Sequence, residues 1–144
     1  MRRRSTRYSV QRLIEADPQV IWGLLTHGSE YPDWNPAVLG IEGEVREGET
    51  IWLTSIVNPG RQFKLRVSQV DPPRHMKWSD GMPMGLFRGT RSFDVIPKGI
   101  GTTEFRMEEA YTGLMAPLIT RSIPDLTESF EMFADGLKAA AEAR

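Results

Sequence analysis

The chain has 144 residues, of which 40% are hydrophobic and 26% are charged, a balance typical of a single globular domain. Its formal net charge of −1 gives no reason to expect nucleic acid or an anionic membrane as a partner. The chain contains no cysteine. This excludes disulfides, thiolate metal sites and cysteine nucleophiles, and it favours a cytoplasmic location.

The first residues are basic, since Met1 is followed by three arginines. No apolar stretch follows them, so we do not expect a signal peptide, and no apolar run is long enough to predict a membrane span. We interpret residues 1–5 as a solvated tail of one domain that covers residues 1–144. Contact of this tail with an acidic partner is the alternative.

The first third of the chain predicts one strand followed by two short helices. Polar and apolar residues alternate over residues 6–15, which indicates a strand. Asp17 suits a helix N-cap and Pro18 the first helical position, so a short helix is expected over residues 18–26. The turn-rich stretch 29–36 predicts a second short helix or helical turn.

Six further strands are expected, because stretches of β-branched, aromatic and alternating residues are separated by turn sequences. Their predicted ranges are 38–45, 50–57, 63–68, 75–79, 86–96 and 102–111. Residues 80–85 are predicted to form a loop of apolar character. Connections as short as these require antiparallel pairing.

The C-terminal stretch 122–144 predicts one long amphipathic helix. Ser122 is a plausible N-cap, Pro124 falls in the first turn, and Asp125 suits the positive end of the helix dipole. A helix of this length spans about 30 Å and needs a broad apolar partner, which only the predicted sheet supplies. One face of the helix is apolar, formed by Leu126, Phe130, Phe133, Ala134, Leu137, Ala140 and Ala141.

Three stretches of the chain resemble motifs of the START-like superfamily, also called the Bet v 1-like, SRPBCC or polyketide cyclase/dehydrase group. Residues 14–22 (IEADPQVIW) are similar to its entry from strand to helix, residues 31–36 (YPDWNP) to its second helix, and residues 101–105 (GTTEF) to its last hairpin. The resemblance implies an α+β helix-grip fold. In that fold a seven-stranded antiparallel sheet wraps round a long C-terminal helix, two short helices follow the first strand, and an apolar cavity lies between sheet and helix.

No sequence motif for metal or cofactor binding is present. His27 and His75 have no metal-ligand spacing, and we interpret both as surface or packing residues. Gly99 and Gly101 belong to a hairpin turn, where glycine permits a positive φ. The sequence therefore predicts neither a metal nor a cofactor.

Large apolar side chains are the stronger signal, because aromatic and methionine residues are numerous for a chain of this size. They either fill the core or line a ligand cavity, and the superfamily resemblance favours a cavity. With two charged residues that interrupt apolar strand faces, they form the predicted ligand-binding set. That set is Trp34, Phe63, Trp78, Phe87, Arg91, Phe93, Phe105, Met107, Glu109, Phe130 and Phe133.

Arg91 and Glu109 occupy inward positions on two neighbouring strands. If the hairpin turns at Gly99, Arg91 lies opposite Met107 and diagonal to Glu109, within reach of an ion pair. In the same register, Phe93 lies opposite Phe105. A buried pair of this kind would act either as a structural brace or as the polar end of a ligand site. A different strand register would separate the two charges.

Arg12, which lies in an inward row of the first strand, is a weaker third member of this charged group. For catalysis the candidates are Glu109 as acid or base, Arg91, and Tyr111 as a hydrogen-bonding partner for a ligand carbonyl or enolate. None of the three carries a sequence signature of catalysis.

Three hypotheses for function follow. The first is binding of a hydrophobic or amphipathic small molecule, such as a lipid, polyketide or aromatic compound, by a monomer or homodimer. The second is a cyclase/dehydratase or isomerase that uses the same cavity. The third is a protein-binding regulator resembling the co-chaperone branch of the superfamily, which would expose an apolar patch.

Overall fold

The computed structural model describes residues 7–144, and the predicted tail over residues 1–5 lies outside that range. Seven strands are present within these residues: β1 (Arg7–Ile14), β2 (Val38–Glu42), β3 (Thr50–Ser55), β4 (Gln62–Asp71), β5 (His75–Met82), β6 (Phe87–Gly99) and β7 (Thr102–Thr112). The helices are α1 (Pro18–Thr26), α2 (Tyr31–Trp34), α3 (Ala116–Ile119) and α4 (Thr127–Glu142). Short 3₁₀ turns at Gly28–Glu30 and Thr120–Ser122 accompany α2 and α3.

The strands form one antiparallel sheet in the order β1-β7-β6-β5-β4-β3-β2. Each strand from β2 to β6 pairs with the next one along the chain, because short turns join them. β1 completes the sheet by pairing with β7. The predicted α+β helix-grip fold is confirmed, with two short helices after the first strand and a long helix at the C-terminus.

The apolar face of α4 packs on the inner face of the sheet. Phe133 is at the centre of this contact, with its ring centroid 6.0 Å from that of Tyr31, 6.1 Å from Phe93 and 6.3 Å from Phe105. These rings belong to α2, β6, β7 and α4, so the Phe133 side chain links the helices and the sheet in the core.

Polar contacts fix α4 along β1. Arg12 donates from Nε to Asp135 Oδ1 at 2.9 Å and from its terminal nitrogen to Glu131. Lys138 Nζ donates to the carbonyl oxygen of Leu13 at 2.7 Å. Arg12 therefore anchors the helix and is not a member of the charged group around Arg91.

The predicted start of the last helix is wrong by five residues. Asp125 Oδ1 accepts hydrogen bonds from the backbone N of Thr127 at 2.9 Å and from its hydroxyl at 2.7 Å, so the helix begins at Thr127. Ser122 instead donates to the carbonyl oxygen of Ile119. The helix has 16 residues, about 24 Å, and the segment before it is free to cover another part of the sheet.

β5 is longer than predicted, because residues 80–82 continue the strand instead of forming a loop. Asp80 pairs with Gly89, and Met82 pairs with Phe87. The first residues of β6 supply these partners, so the length of β5 depends on pairing between two strands and not on its local sequence. The extension places Asp80 on the inner face of the sheet, two residues after Trp78.

None of the helices in the described range combines the length and the apolar character needed to cross a membrane.

Candidate functional site

A cavity of about 260 Å³ lies between the sheet and the segment that precedes α4. Its walls come from β3 to β7 and from the turn between β3 and β4, and its roof is the stretch from Ile119 to Leu126. The apolar lining is formed by Leu53, Val57, Phe63, Leu65, Trp78, Phe87, Ile119, Ile123 and Leu126. Polar side chains are grouped on one side, where Asp80, Arg91, Glu109 and Tyr111 meet.

The ion pair between Arg91 and Glu109 is present. Arg91 Nε donates to Glu109 Oε1 at 2.7 Å, and the two side chains are only 19% and 15% exposed. The pair is direct, because Arg91 lies opposite Glu109 in the sheet, Phe93 opposite Met107, and Val95 opposite Phe105.

The predicted register, with Arg91 opposite Met107 and Phe93 opposite Phe105, is therefore wrong by two residues. The cause is the position of the turn: Gly99 pairs with Thr102, so the chain reverses after Gly99, in a turn with Gly101 at φ 72°. A bulge between Pro97 and Gly99 shifts the pairs beyond it by one residue in the opposite sense, which reduces the difference to two residues.

Tyr111 completes a three-residue network with this pair. Its hydroxyl donates to Glu109 Oε2, and its ring stacks on Phe87 with centroids 5.9 Å apart. Burial and the adjacent Glu109 charge raise the pKa of Tyr111, so the phenol stays protonated at neutral pH. Both carboxylate oxygens of Glu109 are thus engaged, one by Arg91 and one by Tyr111.

α4 supports this network from the other side. The Arg91 guanidinium carbon lies 4.8 Å from the centroid of the Phe130 ring, a distance at which a cation and an aromatic face attract each other. The buried Phe130 therefore positions Arg91 without lining the cavity itself.

Asp80 is exposed at the mouth of the cavity. Partial desolvation and the charge of Glu109 raise the pKa of Asp80, while Arg61 opposes the increase. Arg61 lies on the same rim, with its guanidinium carbon 4.8 Å from the centroid of the Phe63 ring. The cavity thus has a neutral phenol and an ion pair inside, and two further charged groups at its mouth.

The structure brings together some members of the predicted ligand-binding set and separates others. Phe63, Trp78, Phe87, Arg91 and Glu109 line the cavity, as does the catalytic candidate Tyr111. The other predicted residues pack in the core away from it: Trp34, Phe93, Phe105, Met107, Phe130 and Phe133. The reason is the late start of α4, whose apolar face covers the centre of the sheet while the cavity lies beyond the first turn of the helix.

Sequence reasoning missed several lining residues. Leu53 and Leu65 carried no signal that distinguished them from core residues. Asp80 was detectable, because it follows Trp78 with the period of two that marks one face of a strand. The roof segment was not recognised as a unit, because residues 122–126 were assigned to the last helix and residues 119–121 to the connection before it.

The histidines and the outer face of the sheet contribute nothing to this cavity. His75 Nδ1 lies 2.8 Å from Asp94 Oδ1, on a polar surface depression of about 730 Å³ that is open to solvent. His27 follows the last residue of α1. Among residues 7–144, no three histidine or carboxylate residues are grouped so that they could hold a metal ion.

The sequence matches the family model described as polyketide cyclase / dehydrase and lipid transport over residues 5–142. The chain belongs to this family. No curated protein matches it in sequence.

Several solved structures have a fold similar to that of this polyketide cyclase/dehydrase family member. The Zhui aromatase/cyclase from Streptomyces sp. R1128 has a TM-score of 0.74 and 13% identity, covering 96% of this chain and 94% of that one. A START superfamily protein from Mycobacterium smegmatis has a TM-score of 0.69 and 17% identity, covering 95% and 97%. The di-domain aromatase/cyclase BexL from the BE-7585A biosynthetic pathway has a TM-score of 0.71 and 16% identity. That alignment covers 94% of this chain, which spans 46% of the di-domain protein.

Proposed function

We propose that the protein binds a hydrophobic or amphipathic small molecule, of the lipid, polyketide or aromatic class, in the cavity beneath residues 119–126. One observation carries the proposal. Apolar walls enclose a polar group whose charges already neutralise each other, since Arg91 and Tyr111 engage both oxygens of Glu109. Such a site accepts an apolar body and orients it through a few polar atoms.

The polar group favours a ligand that accepts and donates hydrogen bonds without carrying a strong charge. Tyr111 uses its proton on Glu109, which leaves the phenol oxygen able to accept a further hydrogen bond. Arg91 uses Nε on Glu109, and a guanidinium has five N–H donors in all. A carbonyl or hydroxyl group on the ligand fits this pattern.

The size of the cavity bounds the ligand. About 260 Å³ is just below the range of roughly 300–1,000 Å³ in which most small-molecule sites fall. A compact mono- or bicyclic compound, or a short acyl chain, therefore fits better than a full-length phospholipid.

Native mass spectrometry and a thermal-shift panel of fatty acids, polyketides and aromatic compounds test the proposal. A ligand present at 100 times its Kd should stabilise the protein by about 2.7 kcal/mol. Leu65→Trp, which fills the cavity, should abolish that shift, whereas Leu13→Trp, at an exposed position on β1, should leave it intact. No co-purified ligand and no stabilisation by any compound would contradict the proposal.

A second candidate is a cyclase, dehydratase or isomerase reaction in the same cavity. The observation that favours it is Asp80, which lines the cavity together with Glu109 and Tyr111. Desolvation and the charge of Glu109 raise the pKa of Asp80, so this carboxyl group holds a proton more readily than a solvated aspartate does, as a general acid or base requires. The similarity of fold to the aromatase/cyclases and the family match support this candidate at the level of the family only.

Turnover separates this candidate from simple binding. Glu109→Gln and Asp80→Asn keep the size of each side chain, so both variants should still bind a ligand that stabilises the wild-type protein. Loss of product formation with retained binding would assign the carboxylate to catalysis. Equal turnover by both variants and the wild type would remove both carboxylates from the reaction.

The cytoplasmic location and the monomeric or homodimeric state stay predictions. Size-exclusion chromatography with light scattering tests the second of these. A co-chaperone-like role predicts a stable protein partner in a pull-down.

A further inference from the structure

The end of the sheet that carries the cavity mouth exposes an unusual number of large apolar side chains. Met84 is 93% exposed and Leu114 is 84% exposed, and Leu118, Met82 and Leu86 also reach the surface. They lie on two segments, one between β5 and β6 and one after β7. Isolated exposed apolar residues are common, but a group on neighbouring segments indicates an interaction surface.

Backbone hydrogen bonds join these two segments into one platform. The N–H of Leu114 donates to the carbonyl oxygen of Gly85 at 3.3 Å, and that of Met115 donates to Leu86 at 2.7 Å. Phe87 and Ile119, which adjoin the platform in sequence, line the cavity. The exposed apolar surface is therefore continuous with the cavity mouth.

The charges around the platform are mainly positive. Three segments meet at this mouth, 56–63, 81–90 and 113–124, and among their thirty residues there are three arginines and no carboxylate. Arg61, Arg88 and Arg121 are these three. Asp80 at the mouth and Asp125 flank the segments, and Glu109 inside the cavity is paired with Arg91. The whole chain has 19 Asp and Glu residues and a net charge of −1, so this predominantly basic end is a local feature that the total charge conceals.

We propose that this end of the molecule docks on the surface of an anionic lipid bilayer, with Met84, Leu114 and Leu118 entering the boundary between headgroups and acyl chains. Protruding aliphatic and methionine side chains bordered by arginine match the apolar and anionic layers of such a surface. The docked orientation faces the cavity mouth towards the bilayer. The proposal concerns the surface and does not depend on what the cavity binds.

Sedimentation of the full chain with vesicles tests the proposal. Binding to vesicles of phosphatidylcholine with 30 mol% phosphatidylserine, roughly the anionic content of a charged leaflet, should exceed binding to pure phosphatidylcholine and should weaken as salt is added. Arg88→Glu should reduce binding more than the roughly five-fold expected for loss of one basic residue at an anionic surface.

The apolar part of the surface is tested by Met84→Asp. Met84 has φ 62°, a backbone conformation that aspartate tolerates better than most residues, so the variant should fold with an unchanged circular dichroism spectrum. Its vesicle binding should fall by roughly ten-fold. Ile100→Asp is the matched control, because Ile100 is fully exposed on the turn between β6 and β7, at the opposite end of the sheet.

Three outcomes would overturn the proposal. They are absence of binding to anionic vesicles, equal binding to neutral and anionic vesicles, and an equal loss in the Ile100→Asp variant. Capture of an acidic protein through Met84 and Leu114 without vesicle binding would assign the surface to a protein partner instead.

Discussion

At the residue scale, Gly89 sets the width of the cavity beside the polar group. A Cβ atom at this position would lie 3.3 Å from Asp80 Oδ1 and 3.3 Å from the Tyr111 ring, closer than these groups accept without moving. The absence of a side chain at Gly89 thus lets Asp80 and Tyr111 share one face of the sheet.

Gly89→Ala should therefore change ligand binding more than stability. We expect a several-fold loss of affinity, because the Tyr111 ring must shift, and a change in unfolding free energy within about 1 kcal/mol, since alanine also reduces the entropy of the unfolded chain. Calorimetric titration and urea denaturation measure the two effects. Gly60→Ala, where nothing lies within 4 Å of the added atom, is the control: it should leave affinity unchanged and show only the entropic stabilisation of about 0.4–1 kcal/mol.

The Asp80 carboxyl group at the cavity mouth makes the unfolding free energy of the protein depend on pH. Its pKa is raised above 3.8 in the folded protein, mainly by desolvation and then by Glu109. The folded protein therefore binds a proton at Asp80 more tightly than the unfolded chain does. The stability that this proton contributes is fully present below the unfolded pKa and is lost as pH rises through the folded pKa.

Asp80→Asn should remove that dependence. The difference in unfolding free energy between variant and wild type should move in favour of the variant as pH rises above the ordinary aspartate pKa of 3.8, because the wild-type carboxyl group then ionises more readily in the unfolded chain than in the folded protein. Urea denaturation across this pH range measures it. A constant difference would show that Asp80 has the same pKa in both states.

At the element scale, the attachment of α4 to β1 depends on charge as well as on apolar packing. Arg12 is 25% exposed on its side chain, whereas its partners Glu131 and Asp135 are 49% and 63% exposed. Water and salt screen such pairs, so the contribution of each is modest. Glu131 therefore differs from a solvated surface carboxylate, because it contacts Arg12 of the first strand.

Glu131→Ala should lower the unfolding free energy by about 0.5–1 kcal/mol at low ionic strength, and the loss should shrink as salt is added. Glu128→Ala, at an exposed position one turn earlier on the same helix, is the matched control. Equal effects of the two substitutions would mean that the loss comes from removing a negative charge near the N-terminus of α4, and not from the contact with Arg12.

Two helical glycines differ in what surrounds them, and alanine should act on them in opposite directions. A Cβ atom at Gly136 on α4 would lie 2.7 Å from Pro36 Cδ and 2.8 Å from the Trp34 carbonyl oxygen, whereas one at Gly23 on α1 has nothing within 4 Å. The close approach of α4 to the turn after α2 therefore requires glycine at residue 136.

Thermal or urea unfolding should accordingly show Gly136→Ala destabilised by about 1–3 kcal/mol, because the clash exceeds the gain in helix propensity. Gly23→Ala should be stabilised by about 0.5–1 kcal/mol. Stabilisation of both variants would mean that α4 moves freely away from the Trp34 carbonyl.

At the scale of the whole molecule, the core and the cavity share Leu53, Trp78 and Leu126, but the centre of the core lies away from the cavity. Phe133 joins α4, the second-helix region and the central strands but does not line the cavity. Phe63 lines the cavity and is only partly buried. This division places most of the folding energy away from the proposed ligand site.

Phe133→Ala should therefore cost about 3–5 kcal/mol of stability and leave the affinity of the folded fraction nearly unchanged. Phe63→Ala should cost less stability and reduce ligand affinity more. Denaturation and calorimetric titration of both variants check this contrast. Equal loss of affinity in the two would mean that the ligand reaches the core.

The sequence by itself determined the order of elements, the antiparallel sheet and the amphipathic last helix. Period-two alternation, turn residues and helical periodicity are local properties of the chain, so they are readable without a structure. Local patterns also placed Arg91 and Glu109 on inward faces. They could not give the exact register, because the chain turns between Gly99 and Thr102 and not at Gly99.

Only the tertiary structure decided where the cavity lies and which side chains line it. The start of α4 depends on Asp125 capping Thr127 instead of on an earlier cap, and the length of β5 depends on partners supplied by β6. Both determine that the roof is the segment before α4 and that Phe93, Phe105 and Phe133 are core. The apolar platform and the arginines around it could not be predicted from the sequence either. The segments 56–63, 81–90 and 113–124 are distant along the chain and meet only when the sheet forms.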